Sequence, residues 1–507
     1  MTSLRFLGVE LAFDGLAPTL SDLDLHFATG WTGVVGANGA GKSTLLALAT
    51  GALAPTRGRI VRDPAELMIV HCPQEVGALD DGVRAVAASD DRAARRWLGR
   101  LGCDPAELDR WSTLSPGERK RWQLAAALAA EPELLTLDEP TNHLDGAGRA
   151  ALVAALARYR GIGLVVSHDR ALLDELTTAT VRVASGGARR YTGGYTIARA
   201  QWEADADARR EARSDAVAHE RRIERRLDQA RRAEEAAHRQ RSTGARMKSR
   251  HDSDARTMGA ANLAEWAAAG AGRTVARLHG AAARAAESVA ALTVEKERGG
   301  DLFVDWEPPP RRWLANLDGV DLRAGDANLL GGVRVAIERD TRVQIAGDNG
   351  AGKTTLLRAL VAAASLPRDR ILWLPQELEA GAGSEIVAAV RALPGSVRGR
   401  VGQIAAALGL DPARALASPS PSPGEVRKLA IALGLGRRAW LVVLDEPTNH
   451  LDLPSIERLE DALASYPGAL VLVSHDAPLA GRLTREVWTV ADGAVTTRKL
   501  SAACVGT

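Results

Sequence analysis

The sequence predicts an α/β protein, built as two tandem copies of one domain that are joined by an α-helical hairpin linker. The first observation is a repeat: "GANGAGKS" at 36–43 returns as "GDNGAGKT" at 347–354, and "LDEPTNHLD" at 137–145 returns at 444–452. Within each copy, short apolar runs typical of buried parallel strands alternate with helical stretches. Between the copies lies a heptad pattern of small apolar residues, which predicts paired helices.

The repeat extends to the spacing of the motifs. Glu139 and His168 are 29 residues apart, and so are Glu446 and His475. A chain of 507 residues is also too long for one hydrophobic core. We therefore predict three segments with these bounds: the first domain at 1–195, the linker at 196–311 and the second domain at 312–507.

Composition narrows the class of protein. The apolar share of 46%, the charged share of 25% and the net charge of +2 are ordinary for a globular protein, so any affinity for nucleic acid must be local. Cys72, Cys103 and Cys504 are too scattered for a disulfide framework, which favours a reducing compartment. The start lacks a signal peptide pattern, and no apolar run is long enough to span a membrane. We expect a cytoplasmic protein.

Both glycine-rich repeats match the phosphate loop GxxxxGK[ST]. Its glycines let backbone N–H groups surround phosphates, its lysine meets the outer phosphates, and its hydroxyl binds Mg²⁺. One such match could be a chance glycine turn, whereas two matches in register predict nucleotide binding. The predicted binding residues are Gly36, Ala37, Asn38, Gly39, Ala40, Gly41, Lys42 and Ser43, and then Gly347, Asp348, Asn349, Gly350, Ala351, Gly352, Lys353 and Thr354.

Two adjacent acids end an apolar strand in each copy, in "LLTLDEP" and "LVVLDEP". The first acid suits Mg²⁺, and the second suits a general base that positions water for attack on the γ-phosphate. Acids that merely cap the next helix are the alternative, which the following proline disfavours. The predicted metal residues are Ser43, Asp138, Thr354 and Asp445, and the predicted bases are Glu139 and Glu446.

Histidine and glutamine complete each set of predicted catalytic residues. His168 and His475 follow another apolar strand, where an imidazole could contact the γ-phosphate. Gln74 in "HCPQE" and Gln376 in "WLPQE" also follow strands, and an amide there could bridge Mg²⁺ and the attacking water. A lone histidine or glutamine would more often be structural, so these predictions depend on the repeat.

With "LSPGE" at 114–118, these duplicated motifs resemble those of ATP-binding cassette proteins. The resemblance implies two tandem ATP-binding cassette (P-loop) domains in a head-to-tail sandwich, with ATP and Mg²⁺ as cofactors and ATP hydrolysis as the activity. Each ATP would lie between one copy's phosphate loop and the signature of the other. The site of Lys42 would include Ser422, Gly424 and Glu425, and the site of Lys353 would include Ser115, Gly117 and Glu118.

Two features depart from the family pattern. The usual signature LSGGQ or LSGGE reads "LSPGE" and "PSPGE" here, so that proline replaces a flexible glycine and removes one N–H donor. Phe13 lies 29 residues before Lys42, where the family often stacks an aromatic ring on adenine, but the same offset before Lys353 gives Ala324. The second adenine pocket is expected to be weaker unless Trp313 substitutes.

Two cassettes in one chain, no membrane span and the run "DEPTNHLD" resemble the ABC-F subfamily. This implies action on the ribosome, by modulating translation or by displacing an antibiotic, with a linker that reaches ribosomal RNA or the peptidyl-site tRNA. Short intervals between the glutamine and signature motifs favour a compact or resistance-type member. An ATPase subunit of a membrane exporter is the main alternative, although no stable membrane partner is expected. A chromosome or DNA-repair ATPase would carry its coiled coil within a cassette.

The linker sequence itself predicts a basic hairpin. A first helix from about Tyr195 to Arg241 would be roughly 70 Å long. A seam of apolar residues three and four apart predicts a second helix packed against it: Val275, Leu278, Ala282, Ala285, Val289 and Leu292. Cations clustered near the turn suit RNA phosphates, although a solvated surface helix is the bland alternative. The predicted RNA contacts are Arg239, Arg241, Arg246, Lys248 and Arg250.

Overall fold

The computed structural model of the chain describes residues 2–13, 18–142, 144, 146–240, 258–292, 303, 306–325, 327–348, 350–379, 381–418 and 421–500. The chain divides into two compact units, one of Met1–Ala198 with Arg298–Thr507 and one of Arg199–Glu297. The first unit holds both copies of the repeat, called here the first copy and the second copy. The second unit is the helical linker.

The first copy contains nine strands and six α-helices among its described residues. The strands are β1 (Ser3–Leu11), β2 (Leu20–Ala28), β3 (Gly30–Gly36), β4 (Arg57–Asp63), β5 (Ile69–Cys72), β6 (Leu134–Asp138), β7 (Ile162–Val166), β8 (Ala179–Ala184) and β9 (Gly187–Thr192). The helices are α1 (Lys42–Thr50), α2 (Asp81–Ala88), α3 (Arg92–Leu101), α4 (Pro116–Ala129), α5 (Gly146–Leu156) and α6 (Arg170–Leu176). A short 3₁₀ helix covers Pro105–Thr113.

Two sheets enclose the core of the first copy. One has six strands in the order β5-β6-β7-β3-β8-β9, in which only β9 runs antiparallel to its neighbour, and the other is the antiparallel sheet β2-β1-β4. Leu45 and Leu48 of α1 share one core with Leu4 and Phe27 of the antiparallel sheet and Leu164 of the parallel strands. The predicted α/β fold class is confirmed.

The parallel strands bring the motifs to one edge of the sheet. Strands β6 and β7 are almost wholly buried, which explains their unbroken apolar sequences "LLTLD" and "IGLVV". Strand β3 ends at Gly36, β6 ends at Asp138, and Asp138 pairs with Val166 at the end of β7. Because parallel strands share their carboxyl edge, the phosphate loop and the acids come together there.

The linker is built on two long helices, α7 (Tyr195–Gln240) and α8 (Met258–Ala291). Their apolar seam is less exposed than the charged residues around it, with Leu227 of α7 and Ala285 of α8 buried. Gly272 lies beside the carboxylate of Glu234, which leaves little room for a larger residue between the helices. The two predicted helices are present, and α7 is described as far as Gln240.

The second copy repeats the first with one strand fewer in its antiparallel sheet among the described residues. Its strands are β10 (Trp313–Ala324), β11 (Ala327–Glu338), β12 (Arg342–Ala346), β13 (Ile371–Leu374), β14 (Leu441–Asp445), β15 (Ala469–Val473), β16 (Glu486–Ala491) and β17 (Ala494–Lys499). Its helices are α9 (Lys353–Ala362), α10 (Ala382–Arg391), α11 (Gly395–Ala407), α12 (Pro412–Ala417), α13 (Pro423–Gly436), α14 (Leu453–Ala464) and α15 (Ala477–Leu483). The main sheet has the order β13-β14-β15-β12-β16-β17, which matches the first copy strand for strand.

Aromatic side chains tie the segment before β10 to the second copy. The indole of Trp306 donates to the carbonyl oxygen of Ala439 at 3.3 Å, and the indole of Trp440 donates to that of Glu307 at 3.0 Å. The ring of Trp306 also packs edge-on against Tyr466. These contacts explain why the compact unit begins at Arg298, earlier than the sequence-based bound of 312. Among the described helices, none has an apolar stretch long enough to cross a membrane.

Candidate functional site

Each glycine-rich motif forms a loop between a parallel strand and a helix. A Cβ atom at Gly36 would lie 2.3 Å from the carbonyl oxygen of Val183 on the neighbouring strand. Gly347 has the same relation to the carbonyl oxygen of Val490, also at 2.3 Å. Only glycine allows so close an approach, which explains the first position of both motifs.

The lysine of each loop is held by carbonyl groups of the loop itself. Lys42 Nζ donates to the carbonyl oxygens of Gly36 and Ala37, both at 3.0 Å. Lys353 Nζ makes the equivalent two bonds in the second loop, at 2.7 and 2.9 Å. Helices α1 and α9 begin at these lysines. In each copy the helix N-terminus and the ammonium group therefore lie together at the phosphate loop, which suits an anion.

A hydroxyl and a carboxylate meet beside each loop. Ser43 Oγ donates to Asp138 Oδ2 at 2.9 Å, and Thr354 Oγ1 donates to Asp445 Oδ2 at 2.7 Å. Oxygen atoms of these two kinds are the ligands that Mg²⁺ uses in nucleotide sites, where phosphates and water complete the shell. Both pairs therefore fit Mg²⁺.

The second acid of each strand is a nearly buried glutamate with an unusual backbone. Glu139 and Glu446 have φ angles of 47° and 46°, in the left-handed region. One oxygen of each, Oε2, accepts the backbone N–H of His168 at 3.1 Å or of His475 at 3.3 Å. The other oxygen, Oε1, is buried and lies 3.3 Å from Nε2 of His168, or 3.4 Å from that of His475, without a well-aligned hydrogen bond among the described residues. A buried carboxylate oxygen that lacks a good hydrogen bond is costly, and such atoms are common at functional sites.

Burial sets the protonation of these pairs. It raises the pKa of Glu139 to about 8 and lowers the pKa of His168 to about 4, so at pH 7 both side chains are mostly neutral. Burial also raises the pKa of Glu446. The His168 side chain is 22% exposed and that of His475 is 47% exposed, so the first copy encloses its pair more tightly.

The two signature serines begin helices. Ser115 caps α4 and Ser422 caps α13, each through a capping box with the glutamate three residues later. Glu118 accepts the Ser115 amide N–H at 2.7 Å, and Glu425 accepts that of Ser422 at 2.8 Å. These carboxylates therefore already stabilise the helix start at which a phosphate would bind.

The signature prolines occupy the first position of these helices. Pro116 and Pro423 stand where a helix has no use for an amide N–H, and their fixed φ suits the helix start. The signature therefore loses one N–H donor, as expected, but its helix is well formed. In the second copy Gly424 is required, because a Cβ atom there would lie 2.6 Å from the carbonyl oxygen of His450.

A cavity of about 1730 Å³ joins the two copies. Lys42 and Glu139 of the first copy line it together with Ser422 and Gly424 of the second. Further lining residues are Gln74, His168, Lys353, Thr354, Gln376 and Glu446. From the first signature, Pro116 reaches the cavity, whereas Ser115, Gly117 and Glu118 are not among its described lining residues. The pairing around Lys42 is therefore the more complete of the two.

A hydrogen bond joins the first phosphate loop to the second copy. The backbone N–H of Asn38 donates to Asp452 Oδ2 at 2.6 Å. Although burial acts to raise it, hydrogen bonds from Ser455 and from the Asn38 amide hold the pKa of Asp452 below its usual value. An ionised carboxylate of one copy therefore contacts the phosphate loop of the other.

A buried arginine forms ion pairs between the two copies. Arg170 of α6 is 7% exposed, and its guanidinium donates to Glu460 at 2.8 Å and to Asp476 at 3.0 Å. The residue of the second copy equivalent to Arg170 is Ala477, and the residue of the first copy equivalent to Glu460 is Val153. These two residues cannot form such a pair. The contact is therefore made once, by the first copy only.

Trp313, the alternative aromatic residue for the second adenine pocket, lies far from the phosphate loop. Trp313 lies at the start of β10 opposite Glu338, whereas the other end of the β10–β11 hairpin reaches the phosphate loop through Leu330, which packs near Gly352. Most of the length of the hairpin separates Trp313 from the loop, so its ring cannot stack on a base held there. Phe13 follows β1 and is 46% exposed, and its stacking role stays a prediction.

The five predicted RNA contacts, called the basic tip of the linker, are described only in part. Arg239 is exposed near the end of α7. The other predicted RNA contacts and one loop residue lie outside the described residues: Arg241, Arg246, Lys248, Arg250 and Asn349.

Sequence reasoning missed several residues that the structure brings to the site. Asp452 ends the motif "LDEPTNHLD", so the repeat itself contained the signal for it. Lys120 and Arg427 stand five residues after the two signature serines and contact the acid-bearing strands. Arg170 gave no such signal, because its partners are about 300 residues away in the chain.

Sequence comparison relates the chain to known proteins. A family model described as "ABC transporter" matches residues 20–142 and 330–449. The tylosin resistance ATP-binding protein TlrC of Streptomyces fradiae is 31% identical over 97% of this chain and 98% of its own length. The ATP-binding protein Uup of Caulobacter vibrioides is 30% identical over 95% of this chain and 76% of its own length. The ribosome protection protein VmlR of Bacillus subtilis is 29% identical over 88% of this chain and 78% of its own length.

Among solved structures, the chain resembles one from a complex of archaeal ribosomal stalk protein aP1 with ribosome recycling factor aABCE1. The TM-score is 0.61 at 18% sequence identity, and the match covers 97% of this chain and 90% of that one. At this identity the likeness concerns the fold alone.

Replacing Arg170 by methionine should destabilise the protein strongly. The change leaves Asp476 without a cation among the described residues and leaves Glu460 with Arg482 alone, and loss of one partner of a buried ion pair costs about 3–5 kcal/mol. Arg312→Met is the matched control, because its pair with Glu338 is at the surface, where water screens the charges and such pairs contribute little to stability. Urea unfolding followed by tryptophan fluorescence measures both variants. Equal transition midpoints for the two would contradict the assigned role of Arg170.

Proposed function

The chain belongs to the ABC-F subfamily of ATP-binding cassette ATPases, and from this premise we propose that it acts on the ribosome in the cytoplasm. Its two copies bind ATP with Mg²⁺ and hydrolyse it. Its linker contacts ribosomal RNA, or tRNA in the peptidyl site, and the outcome is either modulated translation or displacement of an antibiotic.

The observation that carries the proposal is similarity over nearly the whole chain to a protein named for tylosin resistance. Similarity to a ribosome protection protein supports the same target. Both matches extend across the linker unit of Arg199–Glu297 as well as the two copies. Displacement of an antibiotic is therefore the favoured form of the activity.

Binding at the site of Lys42 uses groups from both copies. The phosphate-loop N–H groups and the Lys42 ammonium hold the β- and γ-phosphates, while Ser422 and Gly424 bring the N-terminus of α13 to the γ-phosphate. Ser43 and Asp138 would hold Mg²⁺, which would supply positive charge to balance that of the phosphates. The site of Lys353 uses the equivalent residues, with Ser115 and Gly117 from α4.

Hydrolysis needs a base beside the γ-phosphate. Water forms a P–O bond to the γ-phosphorus, the bond from that phosphorus to the bridging oxygen of ADP breaks, and the water proton passes to Glu139 Oε1. This oxygen is suited to the task because it is buried and, although His168 Nε2 lies 3.3 Å away, it makes no well-aligned hydrogen bond among the described residues. Gln74 and His168 orient the water and the γ-phosphate, and His168 does so as a neutral imidazole because of its low pKa.

ATP hydrolysis at the site of Lys42 should depend on pH through Glu139. A base must be ionised, and the pKa of Glu139 is raised to about 8, so activity should be lost as the pH falls below that value. In a Glu446→Gln background, we expect kcat/KM to rise about tenfold per pH unit from pH 6 and to level off above pH 8. ATP binding, measured by equilibrium titration, should not follow this curve. A flat rate profile between pH 6 and pH 9 would rule out Glu139 as the base.

The double variant Glu139→Gln with Glu446→Gln should bind ATP and hydrolyse it slowly. The amides preserve shape, phosphate contacts and the Mg²⁺ pairs, but they cannot take the proton. The ATP-bound form should then accumulate on ribosomes, as measured by pelleting with purified ribosomes in ATP and in ADP. The proposed target would be wrong if the variant bound ATP but stayed in the supernatant, and recovery with membranes instead would favour an exporter subunit.

The basic tip should provide salt-sensitive attachment. Alanine at all five predicted contacts should leave ATP binding intact but weaken pelleting of the slow-hydrolysis variant: Arg239, Arg241, Arg246, Lys248 and Arg250. Each lost phosphate contact should lower the slope of log affinity against log salt by about 0.7–0.9. The matched control replaces Arg209, Arg210 and Arg213, of which Arg209 and Arg210 already donate to Asp205 and Asp207 on α7. Identical salt curves for the tip variant and its parent would leave the tip as a solvated spacer.

A further inference from the structure

Both copies bury a cation behind the signature. Lys120 on α4 is 3% exposed and Arg427 on α13 is 2% exposed, and each stands five residues after the signature serine of its helix. Neither cation has a carboxylate as its hydrogen-bond partner, since all their bonds in the described structure go to backbone carbonyl oxygens. A charge buried this deeply without a direct hydrogen bond to a carboxylate is expensive, so its position needs an explanation.

The carbonyl groups belong to the two catalytic segments of the same copy. Arg427 donates at 3.0 Å to the carbonyl oxygens of Pro375 and Gln376. Gln376 is the predicted catalytic glutamine of the second copy. It also donates to those of Asp445 at 3.2 Å and Glu446 at 3.0 Å, at the end of the acid-bearing strand. One guanidinium therefore joins the signature helix, the glutamine segment and the general base.

Lys120 joins the equivalent segments of the first copy through fewer hydrogen bonds. Its ammonium donates to the carbonyl oxygen of Pro73, to that of Gln74 at 3.3 Å and to that of Asp138 at 3.4 Å. None of its bonds reaches the carbonyl group of Glu139. The first copy therefore links its base to its signature helix less directly than the second copy does.

We propose that Arg427 and Lys120 are positioning residues that couple the two ATP sites. The inference rests on the proposed composite sites, in which a signature helix contacts the ATP of the opposite copy. ATP at the site of Lys42 draws on α13, and Arg427 transmits the position of α13 to Gln376 and Glu446 at the site of Lys353. Lys120 transmits in the reverse direction, from α4 to the segments of the first copy.

The coupling is tested at one site at a time. In a Glu139→Gln background, only the site of Lys353 hydrolyses ATP rapidly. Arg427→Met should then lower kcat about 10- to 100-fold, as expected for a base displaced by about 1 Å. The KM should change little, because no phosphate contact is removed, and the Hill coefficient for ATP should fall towards 1.

Arg370→Met is the matched control. Arg370 also donates to two backbone carbonyl oxygens of the second copy, those of Arg437 and Arg438 at 3.2 and 3.1 Å, but these lie at the far end of α13. The control should keep the parent's kcat and Hill coefficient. The proposal is overturned if Arg427→Met retains both values, or if Arg370→Met loses them to the same extent.

A second arm covers failure of Arg427→Met to fold. Lys120→Met in a Glu446→Gln background should lower kcat and the Hill coefficient at the site of Lys42, by a smaller factor because its bonds stop short of Glu139. Lys120→Arg should retain the parent's behaviour, and an unchanged kcat in Lys120→Met would overturn the coupling. Loss of ribosome pelleting with coupled hydrolysis intact would refute the proposed target and leave this inference standing.

Discussion

The pairing of the two copies rests on a buried guanidinium, and the composite sites depend on that pairing. Arg170 leaves the first copy and meets Glu460 and Asp476 of the second, with almost no contact with water. Asn38, which lines the same cavity as Arg170, donates its backbone N–H to Asp452. Charges buried in this way tolerate little separation, so these contacts fix the distance at which a phosphate loop faces a foreign signature helix.

Sequence alone could predict what each copy does locally. The acids at Asp138 and Asp445 were predictable because each ends an apolar strand, and parallel strands expose their ends at one edge of the sheet. The ion pair between the copies was not predictable, since Arg170 and Glu460 have no shared pattern and meet only after both domains have folded. Trp313 misled for a related reason, because an offset in sequence does not say at which end of a hairpin a residue lies.

Equal motifs acquire unequal properties through burial. His168 is more enclosed than His475, and burial lowers the pKa of His168 to about 4. The same effect raises the pKa of both buried glutamates, that of Glu139 to about 8, so a proton occupies Glu139 at neutral pH. Identical letters in the two repeats therefore do not imply identical chemistry, because desolvation depends on the neighbours that each copy supplies.

Duplication within one chain gives this interface a freedom that a symmetric dimer lacks. In a homodimer with two-fold symmetry, every contact between subunits must occur twice, so an ion pair on one side of the interface always has a copy on the other side. Here Arg170 has its acids, whereas Ala477 and Val153 stand at the equivalent positions on the opposite side. The interface therefore has a charged side and a side without that charge. A fused pair can keep one edge attached while the other opens, and so release one product without dissociating.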